Sequence, residues 1–119
     1  MGEPGGHKDV VSAVTFSSDG QQLASASWDK SVKLWNAATG QLLQTFQGHG
    51  DRVTTVTFID EQAIASASLD NTVKIWNAQT GQSLQNIAAH SDWVLSVTAQ
   101  PSAQTLVSSS SDATIKVWR

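Results

Sequence analysis

Residues able to do chemistry return along this chain at a fixed interval. His7, His49 and His90 are 42 and 41 residues apart, and Asp29, Asp70 and Asp112 are 41 and 42 apart. Serines stand just ahead of each of these aspartates, at Ser25, Ser66 and Ser108. A Ser, a His and an Asp together are the constellation of a hydrolytic triad. Each His is also followed two residues on by an acid, in His7-Lys8-Asp9, His49-Gly50-Asp51 and His90-Ser91-Asp92, a spacing that raises a metal site. Lys33, Lys74 and Lys116 recur as well, and a basic stripe is what phosphate would need.

The elements that must carry these residues are short strands. Val10 to Phe16 is β-branched and nearly alternating, and Ser17-Ser18-Asp19-Gly20 has the composition of a turn. Leu23 to Ser27 is a second strand, Asp29-Lys30 a tight corner, Ser31 to Trp35 a third strand, and Leu42 to Phe46 a fourth. The same order returns over 53–58, 64–68, 72–76 and 83–87, and again over 94–98, 106–110 and 114–118. Trp35, Trp76 and Trp118 keep the common period. No helical periodicity runs for twelve residues without a turn signal inside it. Four short strands in every 40–45 residues or so predict the blades of a β-propeller, an all-β fold of antiparallel sheets. A blade is pressed on both faces, which suits Leu-Ala-Ser-Ala-Ser at 23–27.

Composition narrows the functional classes. The chain has 119 residues, is 39% hydrophobic and 14% charged, and carries a net charge of −3, which argues weakly against nucleic acid. It has no cysteine, which removes disulfides, thiolate metal sites and cysteine nucleophiles, and a reducing, cytoplasmic location is expected. No apolar run approaches the roughly 18–20 residues of a membrane helix, and Met1-Gly2-Glu3-Pro4-Gly5-Gly6 has neither the charged nor the apolar part of a secretory signal. Gly2 raises myristoylation, but Gly6 stands where Ser or Thr is wanted.

The repeated motifs resemble the WD40 family. Gly-His opens the units at Gly6-His7 and Gly48-His49, with Ala89-His90 in the third. Ser-Ala-Ser-x-Asp ends at Asp29 and Asp70, and Ser-Ser-Ser-Ser-Asp at Asp112. The Trp-Asp pair of the family is Trp35-Asn36, Trp76-Asn77 and Trp118-Arg119 here. The resemblance covers about Gly6 to Arg119 and implies repeats at 7–47, 48–88 and 89–119 behind a flexible tail at 1–6. It also implies one structural tetrad per blade: His7, Ser25, Asp29 and Trp35; His49, Ser66, Asp70 and Trp76; His90, Ser108, Asp112 and Trp118. Buried, such groups must find partners, since each one left unpaired costs on the order of 1–3 kcal/mol.

Against this frame the sharper chemistries weaken. A catalytic site rarely repeats in every blade, and the serines lie inside strands with no Gly-x-Ser-x-Gly elbow. The histidines already have a structural role, and no His-x-x-x-His or carboxylate cluster backs a metal site. Periodic Lys on strands is ordinarily a packed stem under a solvated amine. No Gly-rich phosphate loop is present. No enzyme activity, cofactor, metal, nucleic acid or membrane is expected.

What varies at matched positions is the candidate for recognition. The resemblance implies that one face collects three side chains per blade. The first class is Trp28, Leu69 and Ser111, the second Val10, Arg52 and Trp93, the third Ser12, Thr54 and Leu95. Trp28 and Trp93 are the only Trp outside the tetrads, and Trp and Arg dominate binding hot spots. The expected function is a non-catalytic scaffold holding a protein or peptide on this rim. A purely structural set of blades and a serine hydrolase are the alternatives. Three blades with eleven strands do not close a ring, so the chain is expected to be a piece of a longer propeller or to assemble with copies of itself, as a dimer ahead of a trimer.

Overall fold

The computed structural model describes residues 6–100 and 104–118 of the 119, so the tail expected over 1–6 falls almost wholly outside the described residues. Short β-branched and small-residue segments, each cut off by a polar turn, form eleven strands, with no helix among the described residues. The first sheet holds β1 (Val11–Phe16), β2 (Gln22–Ser27), β3 (Ser31–Asn36) and β4 (Leu42–Gln47) in that order. The second holds β5 (Val53–Asp60), β6 (Ala63–Ser68), β7 (Val73–Asn77) and β8 (Ser83–Ile87). The third holds β9 (Val94–Gln100), β10 (Thr105–Ser110) and β11 (Ile115–Trp118). Every neighbouring pair is antiparallel.

The turns explain recurrent polar residues. Asn36 Oδ1 accepts the amides of Ala38 and Thr39, and Asn77 Oδ1 accepts those of Gln79 and Thr80. Gly40 and Gly81 end these turns at φ 76° and 77°, where a Cβ is disfavoured. An Asn after the tetrad Trp therefore serves as a turn cap. Val10, Thr72 and Thr114, which the pattern assigns to strands, sit one residue ahead of them. Their amides are bonded to the carboxylates of Asp9, Asp70 and Asp112.

The core lies between sheets. The first layer packs Ala24, Ala26, Val32, Leu34 and Phe46 of one sheet against Val53, Val56, Ile64 and Trp76 of the next. The second packs Ala65, Ala67 and Val73 against Val94 and Val97. The small residues of β2 and β6 let two sheets approach closely. The inner strands are tied as well: Ser12 Oγ donates to Val53 O at 2.6 Å, and Thr54 Oγ1 to Val94 O at 2.7 Å.

Candidate functional site

Each candidate tetrad joins a loop to two strands. His7, His49 and His90 stand in the loops leading into β1, β5 and β9; the serines lie on β2, β6 and β10; the aspartates sit in the tight turns after them; and the Trp residues lie on β3, β7 and β11. In the middle set, Trp76 Nε1 donates to Ser66 Oγ at 2.9 Å, and Ser66 Oγ lies 2.7 Å from His49 Nε2. His49 Nδ1 lies 2.8 Å from Asp70 Oδ2. The first set gives 2.9, 2.6 and 2.9 Å for the same three links, and the third 3.1, 2.8 and 3.0 Å. An indole N–H can only donate, so with one ring proton the order is forced: Trp to Ser, Ser to His Nε2, and His Nδ1–H to Asp.

The carboxylates do double duty. Asp70 Oδ2 takes the His49 ring and the Gly50 amide, while Oδ1 takes the amide and hydroxyl of Thr72. Burial works against the charge on Asp70, but His49, Thr72 and Gly50 outweigh it and hold the carboxyl well below the usual range. Burial likewise opposes Asp29, and Ser31, Lys8 and His7 overcome it. At Asp112 the Thr114 hydroxyl is the largest influence; it outweighs burial, and the result is again a strongly lowered pKa.

The Ser–His–Asp distances are those of a hydrolytic triad, but the nucleophile is shut in. Ser25, Ser66 and Ser108 are all buried, and each Oγ is held between an imidazole and an indole N–H. An open dish beside Trp35 does reach Ser25 and His7 in the first sheet, but there too the indole N–H bonds the serine oxygen and ties up a lone pair that attack would use. The three His-x-Asp motifs do not converge either: among the described residues no group of three His, Cys, Asp or Glu is placed to hold a metal ion. Asp9, Asp51 and Asp92 instead accept the amide of the residue that follows each.

The variable positions occupy one end of the sheets. Trp28 N donates to Val10 O, Leu69 N to Arg52 O, and Ser111 N to Trp93 O, so the first two classes meet pairwise in each sheet. Across the first seam the Arg52 guanidinium stacks on the Trp28 ring, 4.2 Å from its centroid. Trp28 is 37% exposed and Trp93 50%, Leu69 is half-buried, and Val10, Arg52, Leu95 and Ser111 are exposed. Ser12 and Thr54 depart from the expectation of a surface role. Both are half-buried, and their hydroxyls are committed to the carbonyls of Ala26 and Val53, and of Ala67 and Val94. They serve the seams. Leu95, the third of that class, has no hydroxyl and is exposed.

The family model described as "WD domain, G-beta repeat" matches residues 2–36, 40–77 and 81–119, nearly the whole chain. The chain belongs to the WD40 family. Each of the last two WD40 matches begins ahead of an outer strand, β4 or β8, and ends on or just after the third strand of the following sheet. A WD40 repeat here thus straddles two sheets, and its His lies on the link between them. Among WD40 relatives, the Notchless protein homolog of Arabidopsis thaliana is 57% identical over 44 residues, 37% of this chain and 9% of that protein. U3 small nucleolar RNA-interacting protein 2 of Mus musculus is 41% identical over 58 residues, 49% of this chain and 12% of that protein. Ribosome assembly protein 4 of Saccharomyces cerevisiae is 46% identical over 41 residues, 34% of this chain and 8% of that protein. The chain therefore matches only a small part of the length of these curated relatives.

Proposed function

We propose that this chain is a non-catalytic protein-interaction scaffold that holds a peptide or protein segment on the rim formed by Val10, Trp28, Arg52, Leu69, Trp93 and Leu95. The observation that carries the reading is the exposure of Trp28 and Trp93 at matched ends of the first and third sheets, bracketing Arg52 and Leu69. Large rings left in water beside a guanidinium are the residue types that carry most binding energy when covered. Trp28 is also pre-positioned by the stacked Arg52, which lowers the ordering cost of binding. The tetrads act as supports for the rim, because Asp29 and Asp70 immediately follow Trp28 and Leu69.

The partner class is a protein, in keeping with the net charge of −3 and the aromatic character of the rim. The names of two relatives, one interacting with a small nucleolar RNA and one assembling ribosomes, favour a ribonucleoprotein setting as a second reading, in which this rim would still contact a protein component.

The test is selection of peptides from a random displayed library on the immobilised chain, followed by titration of the selected peptides against variants. Trp93→Ala and Trp28→Ala should each weaken binding by at least about tenfold, Trp93→Ala with an unchanged melt and Trp28→Ala with only the few degrees lost with the Arg52 pair. Peptides that bind both variants as well as the parent would refute the rim.

A further inference from the structure

The rim carries its charge unevenly, and the positive end lies at the seam between the first and second sheets. Lys8 and Lys30 are exposed there; the matched residues are Gly50 and Asn71 in the second sheet and Ser91 and Ala113 in the third, all neutral. Both lysines belong to the turn that carries Trp28. The Lys8 amide donates to Asp29 Oδ2 at 3.0 Å, and Lys30 follows Asp29 directly. Arg52 reaches the same turn from across the seam and covers the Trp28 ring. Its neighbour Asp51 is turned to the backbone, where Oδ1 accepts the Arg52 amide at 2.7 Å. Among the described residues the ion pairs are the three His–Asp links, and no protein atom accepts a hydrogen bond from the Arg52 guanidinium. Three cations thus gather round one exposed indole in a chain whose net charge is −3, and the guanidinium donors are left to solvent.

We propose that this end of the rim takes an acidic peptide, in which a Glu or Asp carboxylate pairs with the Arg52 guanidinium and an adjoining apolar side chain covers the exposed part of Trp28 and Leu69. The inference rests on the rim reading and adds the partner's chemistry to it. A guanidinium presents parallel N–H donors that match both oxygens of a carboxylate. Held over Trp28, it gives up less freedom on pairing than an arginine loose in water. Leu69 donates its amide to Arg52 O, so an apolar residue beside the carboxylate finds an apolar surface next to the guanidinium. Lys8 and Lys30 add attraction through water rather than fixed bonds. A singly charged carboxylate suits this place better than a phosphate. Phosphate recognition draws on clusters of arginines, whereas here one Arg stands between loops that carry Asp9 and Asp51, which repel a doubly charged group. The rim of the third sheet has Asp92 and Trp93 with no cation at the matched positions. The acidic residue is thereby directed to the first seam, and the apolar remainder of the segment to Trp93.

Fluorescence anisotropy tests it, with the full chain titrated into a short dye-labelled peptide of alternating Leu and Glu. Gln replaces every Glu in a second peptide and phosphoserine in a third. The Glu peptide should bind at least about tenfold more tightly than the Gln peptide at low salt, with the ratio shrinking as salt is raised. Arg52→Gln should bring that ratio close to one, and Arg52→Lys should keep part of it. Lys8→Gln combined with Lys30→Gln changes only exposed side chains and should weaken the Glu peptide but not the Gln peptide. Trp93→Ala should weaken both peptides alike and leave the ratio intact. Failure of the Glu peptide to bind, equal binding of Glu and Gln peptides, or a ratio that survives in Arg52→Gln would overturn the proposal. A phosphoserine peptide that binds more tightly than the Glu peptide would overturn it in favour of a phosphorylated partner. In each of these cases the rim itself still stands if Trp93→Ala weakens the library-selected peptides, and falls with the proposal if it does not.

Discussion

The central carbon of the Arg52 guanidinium sits over the Trp28 ring, 4.2 Å from its centroid, and so clasps the tight turn of one sheet to the loop that starts the next. Because both groups are exposed, the pair is worth about 0.5–1 kcal/mol. Arg52→Ala should lower the melting temperature by a few degrees and Arg52→Lys by less, whereas peptide binding at the rim should fall more steeply in Arg52→Ala than that small loss of stability explains. Thermal melts beside peptide titrations check both arms.

The buried relay of the second sheet makes a stronger claim on stability. His49→Ala removes the acceptor of the Ser66 hydroxyl proton and one donor to Asp70, and Asp70→Ala leaves the His49 Nδ1–H and the Gly50 amide without their carboxylate. Each change should cost about 1–3 kcal/mol in denaturant unfolding. Trp76→Phe keeps most of the ring but removes the N–H from Ser66, and should fall at the lower end of that range.

Those relays are legible in the sequence because His, Ser, Asp and Trp repeat at one period, and four polar or amphipathic residue types kept in register need a common structural cause. The strands were legible for the same reason. The roles of Ser12 and Thr54 were not. A hydroxyl on a strand reads as a surface group until it is known which carbonyl faces it, and Val53 O and Val94 O belong to the next sheet. The stacking of Arg52 on Trp28 is hidden likewise, since these residues lie far apart in sequence and meet only once the seam is built. The strand ends also ran longer than the apolar pattern in β5 and β9, which continue to Asp60 and Gln100.

Acid should dissolve the fold in a defined window. Asp29, Asp70 and Asp112 all have folded-state pKa values held below the ordinary carboxylate value of 3.8. A depressed folded pKa contributes stability that is fully present above the unfolded pKa and lost as pH falls through the folded one. Unfolding free energy should therefore lose this contribution progressively as pH drops below about 4. Asp70→Asn, which does not titrate, should be less stable at neutral pH and show a shallower acid slope. Urea midpoints at stepped pH values provide the measurement.

Three tight turns hold their last residue at positive φ: Lys30 at 75°, Asn71 at 74° and Ala113 at 71°. Asn tolerates that region through its short polar side chain, whereas Ala has nothing to offset the crowding of its Cβ, which costs roughly 1–2 kcal/mol. Ala113→Asn or Ala113→Gly should raise stability by about 0.5–1 kcal/mol after the greater freedom of glycine in the unfolded chain is counted. A rise in melting temperature of the third sheet's variant, with peptide binding unchanged, is the expected result.

The offset between repeat and sheet has a consequence for how such a chain comes apart. A segment such as 40–77 supplies the outer edge of one sheet and the inner three strands of the next. Peeling it away strips a strand from its neighbour as well as dismantling its own layer, so no single repeat can melt in isolation. Like overlapping shingles, the units should loosen from an exposed end and travel inward, with hydrogen exchange fastest in the outermost strands and slowest at Ala65, Ala67 and Val73 in the middle sheet.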